Sequence, residues 1–324
     1  MKREILALSG GVGGAKLALG LADELRPGEL TIVANTGDDF DHLGLSISPD
    51  LDTVMYTLAG IGNAEQGWGL AGESWAAMDA LGRYGAETWF RLGDRDIATH
   101  LVRSQRLRAG ESLSQVTRRL CRALGVAHTL LPMSDDPVRT MVQTEAGELP
   151  FQDYFVRRRC EPRVAGFRFD GIDAARPHPQ LVESLRSPTL GATVICPSNP
   201  FVSVAPMLRL PGVEAALRAS AAPVIAVSPI IAGAAVKGPA AKMMQELNLP
   251  QTAEAVAAHY GELIDGFVID DADVAQAPAI RALGIKVLVV PTLMRNRQDK
   301  VGLARRVLAF ARALREEEEA PCMP

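Results

Sequence analysis

The sequence predicts an α/β protein built on a doubly wound parallel sheet, and three observations support this fold class. Short β-rich runs alternate with helical patterns in two blocks of the 324-residue chain. A glycine-rich stretch joins the first apolar run to the first helical pattern, which is typical of Rossmann-like folds. Between the two blocks the pattern changes, so we expect an inserted cap subdomain.

The elements follow in chain order. In the first block we expect strands at 5–8 and 30–34, with a helix at 15–25 between them. In the second block we expect strands at 192–196, 224–227, 267–269 and 286–290, and helices at 213–219, 240–247, 253–260, 275–283 and 301–314. Between the blocks we expect a helix at 113–124 and antiparallel strands at 138–144 and 151–156. These patterns predict a nucleotide-binding core at 1–60 and 190–315, an inserted cap at 61–189 and a tail at 316–324.

Composition narrows the class of protein. The formal net charge of -4 disfavours a nucleic-acid-binding face, because such a face needs an excess of Lys and Arg. The four cysteines lie far apart, so neither a zinc site nor a disulfide framework is indicated. The N-terminal apolar run ends after four residues, and Pro229 and Gly233 interrupt the apolar stretch 223–236. We therefore expect a cytoplasmic protein without a membrane or nucleic-acid partner.

The stretch SGGVGGAK, residues 9–16, is the first candidate ligand site. It precedes the first predicted helix, where free backbone N–H groups and the helix dipole favour an anion. A Cβ atom on these glycines would hold the anion away from the amides. The predicted nucleotide contacts here are Gly10, Gly11, Gly13 and Gly14, with Lys16 nearby. Neither the Walker A motif nor the dinucleotide fingerprint matches, and a tight turn without a ligand is the alternative interpretation.

Small and polar residues also follow the later strands, at the edge of a parallel sheet where ligands bind. Ser198 and Asn199 follow one strand, and SPIIAGAAVKGPAAK, residues 228–242, follows the next. The second segment combines glycines and a lysine with a helix start, which indicates a second anion cradle. Its predicted nucleotide contacts are Ile231, Gly233 and Lys237. Two cradles imply a diphosphate or two phosphorylated ligands, whereas a buried loop without a ligand is the alternative.

The segment 35–60 is acidic. It contains Asp38, Asp39, Asp41, Asp50 and Asp52. Carboxylates beside phosphates repel them unless a hard cation is present, and Mg²⁺ prefers oxygen ligands shared with phosphates, so we expect Mg²⁺. Asp50 and Asp52 also suit the start of a helix, where they satisfy free amides. This second role is favoured for Asp52, and both roles stay open for Asp50. Because no nucleophile motif is present, direct transfer without a covalent intermediate is the simplest mechanism.

Five segments together carry a resemblance to a known family. They are LSGGVGGAKLALGL, VANTGDDFDHLGLSISPDLDTVMYTLAG, TWFRLGDRDIATHLVR, PSNPFVSV and SPIIAGAAVKGPAAKMM. In this order, over about residues 5–245, they resemble the 2-phospho-L-lactate transferase family, which makes the side chain of the deazaflavin coenzyme F-420. The resemblance implies transfer of a phospho-acid group from an acid-diphospho-guanosine donor to the ribityl hydroxyl of the deazaflavin Fo. It also implies release of GMP, a requirement for Mg²⁺ and a homodimer.

By position, the resemblance assigns Asp50 to the attacking hydroxyl, as a contact to Fo, a metal ligand or a general base. Arg91 falls at the second Fo-contact position, where archaeal members carry lysine, so the charge is kept but the donor geometry differs. Trp68, Trp89 and Phe90 are candidates for stacking on the deazaflavin ring, with core packing as the alternative. The sequence leaves the acid open among phospholactate, phosphoenolpyruvate and phosphoglycerate. A regulatory nucleotide-sugar-binding protein of the related gluconeogenesis-factor family is the alternative function.

Overall fold

The computed structural model describes residues 4–235 and 238–319. The strands are β1 (Glu4–Ser9), β2 (Leu30–Ala34), β3 (Phe40–His42), β4 (Leu45–Ile47), β5 (Thr129–Pro132), β6 (Arg139–Thr144), β7 (Gly147–Pro150), β8 (Val164–Asp170), β9 (Leu190–Ile195), β10 (Val224–Val227), β11 (Ile230–Ile231), β12 (Ala234–Ala235), β13 (Gly266–Ile269) and β14 (Lys286–Val289). The α-helices are α1 (Gly11–Glu24), α2 (Pro49–Leu58), α3 (Ala76–Arg83), α4 (Asp94–Arg108), α5 (Leu113–Ala123), α6 (Pro179–Arg186), α7 (Ala205–Leu208), α8 (Val213–Arg218), α9 (Ala240–Glu246), α10 (Ala253–Tyr260), α11 (Ala277–Ala282) and α12 (Arg297–Glu319). Short π-helical segments occupy Asp153–Arg157 and Pro200–Val204.

A seven-stranded parallel sheet forms the centre of the described structure. Its strand order is β14-β13-β10-β9-β1-β2-β5. Helices α1, α2 and α12 pack on one face, and α6, α8, α9, α10 and α11 pack on the other, which explains why β2, β9 and β10 are buried throughout. From β1 the chain runs to β2 on one side, and it later returns to β9 on the other. The predicted doubly wound α/β fold is confirmed, and its topological switch point lies at β1.

The predicted strands of the sheet are present, with ends within two residues of the prediction. The last helix is longer than predicted, because α12 continues through Glu319 and includes residues 316–319 of the predicted tail. Glu317 on this last turn forms an ion pair with Lys286 at 2.9 Å, which ties the turn to the edge strand β14. Within residues 4–235 and 238–319, no helix has both the length and the apolar composition that a bilayer crossing requires.

The segment predicted as an insert adds a strand to the main sheet, since β5 pairs with β2 at the sheet edge. It also forms a separate antiparallel sheet in the order β7-β6-β8. The strand predicted at 151–156 is wrong, because most of that segment is π-helical. Phe151 and Phe155 lie at helical spacing and stack with their ring centroids 5.4 Å apart. The helix predicted at 113–124 is confirmed as α5, and the division into core and cap stays a prediction.

Candidate functional site

A cavity of about 460 Å³ lies beyond the carboxyl ends of the central strands. Loops that follow β1, β2, β9, β10 and β14 contribute to its wall. The predicted site residues in its lining are Gly10, Gly11, Gly13, Lys16, Asp50, Arg91, Ser198, Asn199 and Ile231. Gly14 and Gly233 do not line this cavity, and Lys237 lies outside the described residues. The structure therefore brings most of the predicted contacts together, while their roles in binding stay predictions.

Helix α1 begins at Gly11, four residues before the predicted start, so the glycine stretch is the first turn of the helix rather than a loop before it. Gly10 occupies the N-cap position and has no side chain to cap the helix. Backbone amides of a helix's first turn favour an anion. Gly11 has a φ of 60°, a conformation that suits glycine.

The glycines are also needed for packing, which the sequence prediction did not include. A Cβ atom on Gly13 would lie 2.3 Å from the carbonyl oxygen of Pro197. A Cβ atom on Gly14 would lie 2.6 Å from the hydroxyl oxygens of both Ser9 and Ser198. Helix α1 thus packs directly against the loop after β9, and Gly14 serves this contact away from the cavity. The prediction that Gly14 lets a ligand approach the helix is not supported by its position.

The polar residues after β9 connect the loop after this strand to the start of α1. The Ser198 hydroxyl donates to the carbonyl oxygen of Gly10 at 2.7 Å and accepts from the Gly10 amide at 3.0 Å. The Asn199 side chain accepts from the backbone amide of Phe201 at 2.9 Å, at the start of the π-helical segment. Lys16 lies at the loop after β14, where its Nζ donates to the carbonyl oxygen of Met294 at 3.0 Å. These bonds hold three strand-end loops around the first turn of α1.

Asp38 and Asp50 bring two carboxyl groups to the same cavity. The Asp50 carboxylate accepts from the Asn35 side-chain amide at 3.0 Å and from the Gly11 backbone amide. Burial raises the pKa of Asp50 to about 6, and these two hydrogen bonds act in the opposite direction. Burial also raises the pKa of Asp38 well above its ordinary value, and the charge of Asp50 adds to this effect. Burial therefore favours the protonated form of both carboxyl groups, so each binds a proton or a cation more readily than an exposed carboxylate does.

The other three aspartates of the acidic segment have different surroundings. The Asp39 carboxylate accepts from the Ser48 hydroxyl at 2.7 Å, and burial raises the pKa of Asp39 to about 8. Asp41 is exposed on the hairpin formed by β3 and β4. Asp52 lies in the first turn of α2 as predicted, but its carboxylate pairs with the buried Arg103, with one contact at 2.9 Å. Asp52 was predicted to satisfy free backbone amides at the start of a helix, but in the structure its carboxylate forms a buried ion pair with Arg103 instead.

The aromatic candidates divide into two groups. Trp68 and Phe90 line the cavity, and Trp68 is 45% exposed. Trp89 does not line this cavity; it is half-buried, and its ring centroid lies 5.1 Å from that of His42. Arg91 is exposed at the cavity, and its guanidinium carbon lies 4.4 Å from the ring centroid of Trp75. Of these candidates Trp68, Phe90 and Arg91 thus line the cavity, and Phe151 and Phe155 of the insert line it as well.

Helices α2 and α4 contribute four polar lining residues that the sequence prediction left out of the site. They are Thr53, Tyr56, Asp96 and His100. The Tyr56 hydroxyl donates to Asp96 Oδ1 at 2.7 Å, and His100 Nε2 lies 3.3 Å from the same oxygen. Burial raises the pKa of Tyr56, so its hydroxyl stays protonated. The spacing of Asp96 and His100, one helical turn apart, was the available signal, but it does not reveal which helix packs against them.

A magnesium ion fits this site on the chemistry of its donors. Mg²⁺ in proteins is bound through one or two carboxylates together with substrate phosphates and water. Asp38 and Asp50 supply two carboxylates, and Asp38 Oδ1 has no hydrogen-bond partner among the described residues. In the part of the chain that the structure describes, no three His, Cys, Asp or Glu side chains are grouped to hold a metal. An ion at Asp50 would therefore need oxygen atoms from the substrate.

Fold and site together are typical of proteins that bind a phosphorylated ligand at the switch point of a parallel sheet. The family model described as 2-phospho-L-lactate transferase CofD matches residues 5–285. The chain belongs to this family, and it is an enzyme of a transferase family. This result confirms the family resemblance predicted from the sequence.

Curated relatives agree over nearly the whole length. The chain is 46% identical to a phosphoenolpyruvate transferase from Kitasatospora aureofaciens over 320 residues, covering 96% of this chain and 98% of the relative. It is 41% identical to a phosphoenolpyruvate transferase from Streptomyces griseus, covering 96% and 99%. Among solved structures, a UPF0052 family protein from Bacillus halodurans matches with a TM-score of 0.62 at 15% identity, covering 95% of this chain and 99% of that one. The structural likeness supports the fold alone.

Proposed function

We propose that this protein transfers phosphoenolpyruvate from a guanosine-linked diphosphate donor to the terminal ribityl hydroxyl of Fo, with release of GMP, in coenzyme F-420 biosynthesis. One observation carries the proposal: the buried carboxyl groups of Asp38 and Asp50 share a cavity with the start of α1 and with two aromatic side chains. Membership of the CofD family supports the reaction class. The names of the relatives favour phosphoenolpyruvate over phospholactate and phosphoglycerate as the acid.

The donor diphosphate is assigned to the N-terminus of α1. Gly10, Gly11 and Gly13 line the cavity there; the Gly11 amide bonds to Asp50, and the following amides of the first turn, with the positive end of the helix dipole, are the proposed donors to the diphosphate. Ser198 and Asn199 line the adjacent wall, and Ile231 lies in the loop after β10. This arrangement supports binding of the guanosine diphosphate part by the β9, β10 and β14 side of the sheet, with Lys16 fixing the last of these loops.

The acceptor is assigned to the part of the cavity that Trp68, Phe90 and Arg91 line, in the segment between α2 and α4. Its hydroxyl oxygen attacks the phosphorus that carries the acid, a new P–O bond forms, and the bond to the GMP oxygen breaks. The hydroxyl proton must leave, and Asp50, whose pKa burial raises to about 6, is the candidate acceptor for it. A Mg²⁺ ion held by Asp38 and Asp50 would neutralise phosphate charge. Two roles, base and metal ligand, thus remain for Asp50.

Mass spectrometry of the product tests this proposal. Purified protein is incubated with Fo, Mg²⁺ and each of three guanosine-linked donors, carrying phosphoenolpyruvate, phospholactate or phosphoglycerate. We expect GMP and a product of the phosphoenolpyruvate mass, formed fastest from the first donor. A protein that binds nucleotide sugars but forms no product and leaves Fo fluorescence unchanged would support the regulatory alternative. The homodimer and the cytoplasmic location stay predictions.

A further inference from the structure

We propose that Tyr56, Asp96 and His100, here called the polar floor, recognise the hydrogen-bonding edge of a flat heterocyclic acceptor. The inference rests on the proposed function and deepens it. All three side chains line the same cavity as Trp68 and Phe90, and all three are nine-tenths or more buried. They lie on helices α2 and α4, which follow β2 in the chain. The phosphate-binding loops after β9 and β10 lie on the other side of β1.

The structure fixes the tautomer of His100. Arg103 Nη1 lies 3.1 Å from His100 Nδ1, and a guanidinium has only donors, so Nδ1 must be the acceptor. The ring proton of a neutral His100 is therefore on Nε2. Arg103 is itself held by its buried ion pair with Asp52. Asp52 and Arg103 thus orient His100 so that it presents an N–H donor at the polar floor.

This donor lacks a well-aligned hydrogen-bond partner among the described residues, and a neighbouring acceptor is available to a ligand. His100 Nε2 is buried without a well-aligned hydrogen bond, and its nearest polar atom is Asp96 Oδ1 at 3.3 Å, whose charge it stabilises. Asp96 Oδ1 also accepts from Tyr56, which leaves Asp96 Oδ2 as the oxygen available to a ligand in the cavity. Buried polar atoms without partners are rare in native structures and usually have a ligand or a water as partner. A donor beside a carboxylate oxygen matches a ligand edge that carries a carbonyl next to an N–H group.

A deazaflavin has such an edge in its pyrimidinedione ring, where an N–H lies between two carbonyl groups. The N–H would donate to Asp96, and one carbonyl oxygen would accept from His100. Guanine carries a similar edge, so the chemistry alone fits either substrate. The polar floor lines the same cavity as Trp68 and Phe90 and lies on helices that follow β2, whereas the loops assigned to the nucleotide follow β9 and β10 on the other side of β1, which favours the acceptor. His100 is then a specificity residue for Fo and takes no part in bond cleavage.

The test measures affinity for Fo by its fluorescence and affinity for GDP by calorimetry. Wild-type protein should bind Fo at least about tenfold more tightly than an analogue methylated at the pyrimidinedione nitrogen. His100→Phe should weaken Fo binding by about tenfold or more and reduce this discrimination, with GDP affinity within about twofold. His100→Gln should recover part of the loss because it keeps a donor. His128→Phe, the same change at a residue outside the cavity, should alter neither affinity.

The outcomes separate the inference from the proposed function. Equal affinity of wild-type protein for Fo and for its methylated analogue would contradict the proposed role of the polar floor without contradicting the transferase activity. This measurement uses wild-type protein alone, so it does not depend on the folding of a variant. Loss of GDP binding with unchanged Fo binding in His100→Phe would also overturn it, because the floor would then contact guanine. Absence of any wild-type response to Fo contradicts the proposed function itself. His100→Phe should raise the KM for Fo, whereas kcat, measured at saturating Fo, should stay within about threefold of wild type.

Discussion

Raising the pH from 7 to 8 without ligand should destabilise this protein through its buried acidic cluster. Burial raises the pKa of Asp39 to about 8, so the folded state keeps a proton that the unfolded state has lost. The free energy of unfolding therefore falls as the pH rises through this range. For a folded pKa of 8, the fall between pH 7 and 8 is about 1 kcal/mol. Burial also raises the pKa of Asp38, so this carboxyl group acts in the same direction.

Urea unfolding at pH 7.0 and 8.0, with and without Mg²⁺ and GDP, measures this effect. The buried histidines, such as His178 and His259, have their pKa lowered by burial and titrate below this range. Asp39→Asn should remove about 1 kcal/mol of the pH dependence, whereas Asp41→Asn, at an exposed position of the same segment, should leave it unchanged. An unfolding free energy that is constant or rises between the two pH values would refute the reasoning.

Three further predictions concern activity and packing. Asp50→Asn should lower kcat by at least about 100-fold with GDP affinity preserved by calorimetry, and unchanged turnover would exclude both roles of this carboxylate. Arg103→Met should lower the free energy of unfolding, measured in urea, by about 3–5 kcal/mol because it leaves the Asp52 charge buried alone. Adding Asp52→Asn should restore part of this loss, and additive effects of the two substitutions would contradict the pairing. Gly13→Ala should lower the free energy of unfolding of the ligand-free protein by about 1–3 kcal/mol, because the new Cβ would meet the Pro197 carbonyl. Gly302→Ala, which has open space around it, should not, and equal stability of the two variants would contradict the packing role.

Much of the fold was predictable because the strands of the central sheet are short apolar runs covered on both faces. The sequence pattern failed where local spacing supports two structures. Residues 151–156 contain Phe, Tyr and Val, residue types that favour a strand, yet Phe151 and Phe155 stack across one helical turn. The edge strand β5 was missed because its pairing with β2 is a tertiary contact between segments far apart in the chain.

The candidate site was predictable at the ends of strands and not along helices. Residues such as Ser198 and Asn199 follow a strand directly, so topology alone brings them to the carboxyl edge of the sheet. Tyr56 and His100 reach the cavity only because α2 and α4 pack together around the pair of Asp52 and Arg103. No local pattern specifies which two helices meet in that way.

The position of Gly14 has a similar explanation. Its spacing within the glycine stretch matched that of a ligand contact, but the helix begins earlier and turns this glycine toward Ser9 and Ser198. Both ligand approach and helix packing require a missing Cβ. The sequence shows that a glycine is needed at position 14 but not which of the two reasons applies, and only the folded structure distinguishes ligand approach from helix packing.

A crystal of the protein with GDP, Fo and Mn²⁺ in place of Mg²⁺ tests the central claim most directly, since Mn²⁺ is located by its anomalous scattering. The account predicts diphosphate at the first turn of α1, beside Gly11 and Gly13, and the metal bound by Asp50 and a phosphate oxygen. It also predicts the Fo hydroxyl next to this metal, with the ring between Trp68 and the polar floor. Nucleotide bound away from α1, or metal bound without Asp50, would contradict the account.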